Sequence, residues 1–149
     1  MTTNEAINWM TTVFGAKLPD DYVAFFKDGA FQSTLRKYYI IDQEAGSAVE
    51  ISDWFTADTI ESVYRNCIAE GLFDSCFIPI FDSCGCTVAI DCDVNSKTYH
   101  QLMMRAPNGY YDENSGVNVY EDMEFVAENF TEFIENLKTA EDLEAIALI

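Results

Sequence analysis

The chain is short of positive charge. Eight Lys and Arg stand against 26 Asp and Glu in 149 residues, a formal net charge of −18 at pH 7. A surplus of this size repels phosphate backbones and anionic lipid alike, which sets nucleic acid and membrane surfaces aside as partners. Histidine is scarcer still. His100 is the only one, so any Cys-His or Ser-His catalysis must pass through it, and its neighbours Tyr99 and Gln101 suggest no third group to orient it. On the strand expected there it reads as a partly exposed structural residue. Long apolar runs are missing too: no window approaches the roughly 18 consecutive apolar residues of a membrane span. The start, Met-Thr-Thr-Asn-Glu, has no basic region followed by an apolar one. A soluble, cytoplasmic protein is the expectation. Neither internal repeats nor low-complexity stretches divide the chain, so residues 1–149 are expected to form one domain, and 49% hydrophobic residues with 14% aromatics are enough for a packed core.

Cysteine is present but in an odd number. Cys67, Cys76, Cys84, Cys86 and Cys92 lie mostly in apolar surroundings, which fits reduced thiols acting as small core residues better than a disulfide framework. Zinc is disfavoured because Cys84-Gly85-Cys86 has one-residue spacing and strand side chains alternate faces. Asp91-Cys92-Asp93-Val94-Asn95 has the one-three-five oxygen spacing of a calcium loop. It fails at position six, Ser96 where glycine is needed, and at position twelve, Leu102 where a bidentate Glu is needed. Among so many acids nothing singles out a pair for glycoside chemistry. The residues therefore point to no catalytic group, no metal and no cofactor.

What is there centres on Phe77 to Asp93. Two apolar runs, Phe77 to Phe81 and Thr87 to Ile90, flank Asp82-Ser83-Cys84-Gly85 and predict a buried β-hairpin with Gly85 supplying positive φ in the turn. Pro79 cannot donate to a ladder, so the first strand is an edge there or its amide position points away from a neighbour.

Helices are predicted on both sides. Ile7, Met10, Val13 and Phe14 recur at helical spacing after Thr3 and Asn4 as caps, ending at Gly15. Leu18-Pro19-Asp20-Asp21 opens a second helix, which carries Tyr22, Phe25 and Phe26 inward and stops at Gly29. Asp58 with Glu61 resembles a capping box ahead of Ile60, Val63, Tyr64, Cys67 and Ile68, and Asn129 with Glu132 does the same ahead of Phe133, Ile134 and Leu137. Tyr38 to Ile41 and Val49 to Ile51 predict a hairpin around Glu44-Ala45-Gly46-Ser47. Thr98 to Met104 predicts a strand, 106–118 a loop, and Glu124 to Val126 a last short strand. The tail from Thr139 can add a helical turn or two.

Three of these stretches resemble the SUKH superfamily of Smi and Knr type cell-wall regulators and bacterial immunity proteins. They are Leu18-Pro19-x-Asp21-Tyr22-x-x-Phe25, then Ile78-Pro79-Ile80-x-Asp82-x-x-Gly85 through Ile90-Asp91, then Ala127-x-x-Phe130-x-x-Phe133-Ile134-x-x-Leu137. Together they cover about residues 18–138 in the family's order. The chain departs from the family at Ser83-Cys84-Gly85-Cys86, where relatives have a more glycine-rich turn, and at Asn129, where a small residue such as Ser is common. The resemblance implies an α+β fold, a curved and mainly antiparallel sheet with helices packed against it, and no enzymatic activity. It also implies a protein partner. In bacteria that is a cognate toxin domain, often a nuclease or other nucleic-acid-modifying enzyme; in fungi the domain is a regulatory scaffold. It transfers no binding residue.

Charge distribution narrows the surface. Residues 101–149 hold 11 acids and two bases, Arg105 and Lys138, so a third of the chain carries half its net charge. Glu128, Glu132 and Glu135 are expected on the solvated side of the last main helix. Tyrosines beside carboxylates supply rigid contact area while the acids steer a basic partner. Tyr110, Tyr111 and Tyr120 are the tyrosines so placed, and the candidate partner-binding residues are Tyr110, Tyr111, Asp112 and Glu113 with Glu121, Asp122 and Glu124. The competing reading is that acidity only keeps the protein in solution.

Overall fold

A computed structural model describes residues 1–29, 38–42, 46–51 and 53–145. The order of elements is α1 (Thr3–Phe14), a 3-10 turn, α2 (Asp20–Asp28), β1 (Tyr39–Asp42), β2 (Ser47–Glu50), β3 (Asp53–Trp54) and α3 (Ile60–Glu70). It continues with β4 (Phe77–Ser83), β5 (Cys86–Asp91), β6 (Leu102–Arg105), β7 (Tyr110–Asp112), β8 (Val117–Val119), β9 (Glu124–Ala127), α4 (Phe130–Glu135) and α5 (Ala140–Ala145). The fold is α+β, as expected, with every strand pair antiparallel. A five-stranded sheet runs β3-β4-β5-β6-β9, and β1-β2 and β7-β8 form two separate ribbons.

The predicted central hairpin is β4-β5, closed by Cys84-Gly85. Both turn residues have positive φ, 49° and 86°, the geometry whose twist matches paired strands. Pro79 sits where β4 has β5 on one side only, because β3 reaches no further along β4 than Phe81 and the Ile80 carbonyl; a register shift follows it. The missing N–H therefore costs no ladder bond. Both faces of the sheet are covered, which explains the nearly unbroken apolar sequence. Ile78, Ile80, Val88, Ile90 and Leu102 join Met10, Phe14, Tyr22, Phe26, Phe130 and Phe133 in the main core, while Phe77 and Ala89 join Cys67, Leu72 and Phe73 in a smaller one.

An aromatic cluster ties the two ends of the chain to the sheet. Trp54 has ring centroids 4.8 Å from Phe25, 5.0 Å from Phe81 and 6.2 Å from Phe133, and Phe130 lies 5.2 Å from Tyr22 and 5.1 Å from Phe25. These tilted and edge-to-face contacts add to the area the rings bury.

Several boundaries differ from expectation. α1 is capped by Thr2, not Thr3 or Asn4, in a reciprocal capping box with Glu5, and Val13 faces solvent while Ala6 faces inward. α3 follows Thr59, and Asp58 instead accepts from the amino terminus at 3.4 Å. The 106–118 stretch is not a loop throughout. Tyr110-Tyr111 and Val117-x-Val119 pair as β7-β8, and only the residues between them form the turn. His100 is not on a strand: β6 starts at Leu102, and 91–101 is a tight excursion in which His100 has φ 69°. Buried Asp91 holds this excursion, accepting from the Thr98 hydroxyl at 2.6 Å and the Asp93 N–H at 2.9 Å. Those bonds account for the calcium-like spacing as a turn. Residues 44 and 45 of the predicted first turn and 146–149 of the tail lie outside the described residues, as do 30–37, 43 and 52.

The cysteines are all free, but they are not all core. Cys67 and Cys92 are buried, with thiols pushed up to about 11 and about 12 by desolvation first and neighbouring carboxylates second, whereas Cys84 is exposed at the hairpin turn. In the native protein iodoacetamide should label Cys84 readily and leave Cys67 and Cys92 untouched until denaturant is added, as peptide mass mapping would register. Phe130→Ala should cost about 3–5 kcal/mol of unfolding free energy in urea titration, because it empties the centre of the aromatic cluster.

Candidate partner-binding surface

The chain leaves β6 at Arg105 and turns through Pro107-Asn108-Gly109 into the β7-β8 ribbon. Gly109 is required there by close approach, not by φ. A Cβ on it would strike the Val119 carbonyl oxygen and come within 2.6 Å of the Tyr120 ring. The turn of the ribbon is built by Asp112, whose carboxylate accepts from the Asn114 N–H at 3.0 Å and from the Ser115 hydroxyl at 3.0 Å. Its main-chain carbonyl accepts from the Gly116 N–H at 2.8 Å. Asp112 is thus half-buried and engaged in local structure, while Glu113 is exposed at the tip.

Anchors fasten the ribbon to the end of α3. Asn118 Nδ2 and the Tyr120 hydroxyl both donate to the Glu70 carbonyl, at 3.1 and 2.9 Å, and Arg105 donates to the Leu72 carbonyl at 2.9 Å with its guanidinium over the Tyr120 ring. Tyr120, grouped with the contact tyrosines by its position in the sequence, is an anchor and only half exposed.

Cross-strand register decides what the ribbon presents. Tyr110 opposes Val119, Tyr111 opposes Asn118, and Asp112 opposes Val117. Alternation puts Tyr110, Asp112, Val117 and Val119 on one face and Tyr111 with Asn118 on the other. Tyr110 and Tyr111 are 66% and 61% exposed, so both can be reached, but from opposite sides. They flank a protruding ribbon.

The second candidate segment runs on from the anchor. Glu121 and Asp122 are exposed in the connection to β9, and Glu124 opens β9 opposite Met104. Glu124 lies near enough to Cys86 to raise its thiol together with desolvation, the larger cause. Unlike the ribbon residues, Glu124 also lines a groove of about 690 Å³ between β9, the β1-β2 ribbon and α4. Sequence spacing gave no sign of this groove, because its walls bring Ile40, Ile41 and Val49 against residues from Met104 to Lys138. The one signal was Phe125, an aromatic among acids, which is 54% exposed.

Acids on this surface find few cations. Between described residues, ion pairs join the amino terminus to Asp58 and Arg65 to Glu61, both away from the ribbon. Neither a group of three or more His, Cys, Asp or Glu placed to hold a metal nor a helix long and apolar enough to cross a membrane occurs among the described residues. His100 is occupied structurally, with Nε2 3.2 Å from the Lys17 carbonyl oxygen and its ring stacked on Tyr99.

Gly109→Ala should displace the ribbon and leave the main core intact. The expected readout is faster amide exchange at 110–120 with little change at β4 and β5, and equal loss at both would show that the ribbon does not open separately.

No curated protein and no solved structure matches the chain. A family description does match, over residues 1–136, and it takes in α1 through α4 with the whole five-stranded sheet and the ribbon. By that match the chain belongs to the SMI1/KNR4 family (SUKH-1).

Proposed function

We propose that this is an immunity-type binding protein, one that caps a cognate basic toxin domain, a nuclease or other nucleic-acid-modifying enzyme, and blocks its active site or holds it inactive. Membership in the SUKH family supports an immunity or regulatory role acted out through protein partners. The observation that carries the narrower reading is the joining of exposed tyrosines to acids that pair with no cation among the described residues: Tyr110, Tyr111 and Glu113 on the ribbon, then Glu121, Asp122 and Glu124, on a chain of net charge −18. An enzyme that grips nucleic acid must offer a positive surface to phosphate, and an acidic protein is attracted to that same surface. Tyrosine then provides contact area with little loss of side-chain freedom.

Capture of partners from the native cells at low and at high salt is the direct test. A polypeptide with a basic, toxic domain, released by salt, would support the reading, and recovery of signalling enzymes would favour the regulatory alternative. With the captured partner in hand, reversing Glu121, Asp122 and Glu124 to Lys together should slow association about tenfold or more at low salt and flatten its salt dependence, with an unchanged melting profile. Unaltered association would remove these three residues from the interface.

A further inference from the structure

We infer that the free edge of β9, with the groove beside it, takes up an extended basic segment of the partner as an added strand. The inference rests on the reading of this protein as a binder of a basic protein, and it assigns a site within that reading.

β9 is the outermost strand of the five-stranded sheet. One side bonds β6, and no described strand bonds the other. Side chains alternate along a strand, so a groove that lies over a strand's face touches every second residue. Here Glu124, Phe125, Val126 and Ala127 all line the groove, which is the signature of a strand presenting its edge, main-chain groups included. The facing wall repeats it. Consecutive Ile40 and Ile41 of β1 line the groove, β1 bonds β2 along one side, and among the described residues its other side is taken at Tyr39 alone, by reciprocal bonds with Lys138 of 2.8 and 3.0 Å. Two half-used strand edges thus border one cleft.

The lining defines the occupant. Met104, Val126 and Phe133 with Ile40, Ile41 and Val49 offer apolar contact, Glu124 and Glu132 supply carboxylates, and Lys138 is the one cation among the described residues of the lining. A segment of about four or five residues matches the length of β9 at roughly 3.3 Å per residue. Apolar side chains at alternate positions would enter the cleft, with Lys or Arg between them to meet the acids. Main-chain bonds supply affinity in such strand addition and the alternating pockets supply specificity. A second copy of this chain is the wrong occupant, because pairing two β9 edges would bring two molecules of charge −18 together at their acid-rich sides.

The probe is the peptide Lys-Val-Lys-Val-Lys-Val-Lys, compared with the same peptide N-methylated at every internal amide, which keeps charge and apolar groups but cannot donate to a strand. Residue-resolved amide exchange is followed on the intact protein. The unmethylated peptide should slow exchange about tenfold or more at the outward amides of 124–127 and at Ile41, while the methylated one should not. Glu124→Lys with Glu132→Lys should weaken binding of the unmethylated peptide about tenfold while leaving the melting profile in place. Equal binding of both peptides, no binding of either, or protection confined to 110–119 would overturn the edge site. So would outward β9 amides that are already as slow in the free protein as those bonded to β6, or protection that grows with protein concentration alone. Salt-released capture of a basic partner alongside any of these results would leave the basic-partner reading standing and remove only this site.

Discussion

The packing of Trp54 against Phe25, Phe81 and Phe133 is the contact on which the rest of the molecule depends. Trp54 belongs to a strand of two residues, too short to hold a place in a sheet by its own ladder. Its ring joins α2, β4 and α4, elements separated by about a hundred residues of chain, and Phe130 closes the cluster against Tyr22. Asp21 reinforces the same junction from outside, its carboxylate accepting from the N–H and the hydroxyl of Thr131 at 3.0 and 2.7 Å. Docking α4 there places β9, which immediately precedes it, at the edge of the sheet. The acidic end of the chain is thereby fixed in space by apolar contacts made near its beginning.

Legibility in the sequence followed the range of the forces involved. The central hairpin could be read because burial on both faces makes β4 and β5 apolar almost without break and because Cys84-Gly85 is too short a connection for anything but a tight turn. Gly29 marked a helix end correctly because a left-handed C-cap is a local demand. Caps at the other ends were less secure: Thr2, Thr3 and Asn4 can all serve, and which one does is set by Ala6, Met10 and Phe14 having to face the core. The β7-β8 ribbon escaped notice because its two strands of three residues lie among Asn, Gly and Asp, and what stabilises it is tertiary, the bonds from Asn118 and Tyr120 to α3.

The candidate surface was half legible. Composition located the excess of acid in the last third of the chain, and Tyr110 and Tyr111 beside it are exposed. The division of labour within the stretch depended on hydrogen bonds that spacing does not encode: Asp112 shapes a turn, Tyr120 anchors, and Glu124 belongs to a different concavity from the tyrosines. Of the cleft beside β9 the sequence showed only Phe125 among acids, since strand order decides which edge is left open.

The ribbon's fastening has a consequence for how the surface can diverge. Asn118, Tyr120 and Arg105 all bond to main-chain carbonyls, those of Glu70 and Leu72, and not to side chains. Every residue type carries that acceptor, so exposed Ala69 and Glu70 at the end of α3 are free to change their side chains without loosening those bonds. A change in the length of α3 has no such freedom, because removing one residue would swing the acceptors by about 100° around the helix axis. The fold therefore tolerates substitution behind the ribbon and resists insertion or deletion there, which lets the ribbon's exposed face change while its mounting stays constant.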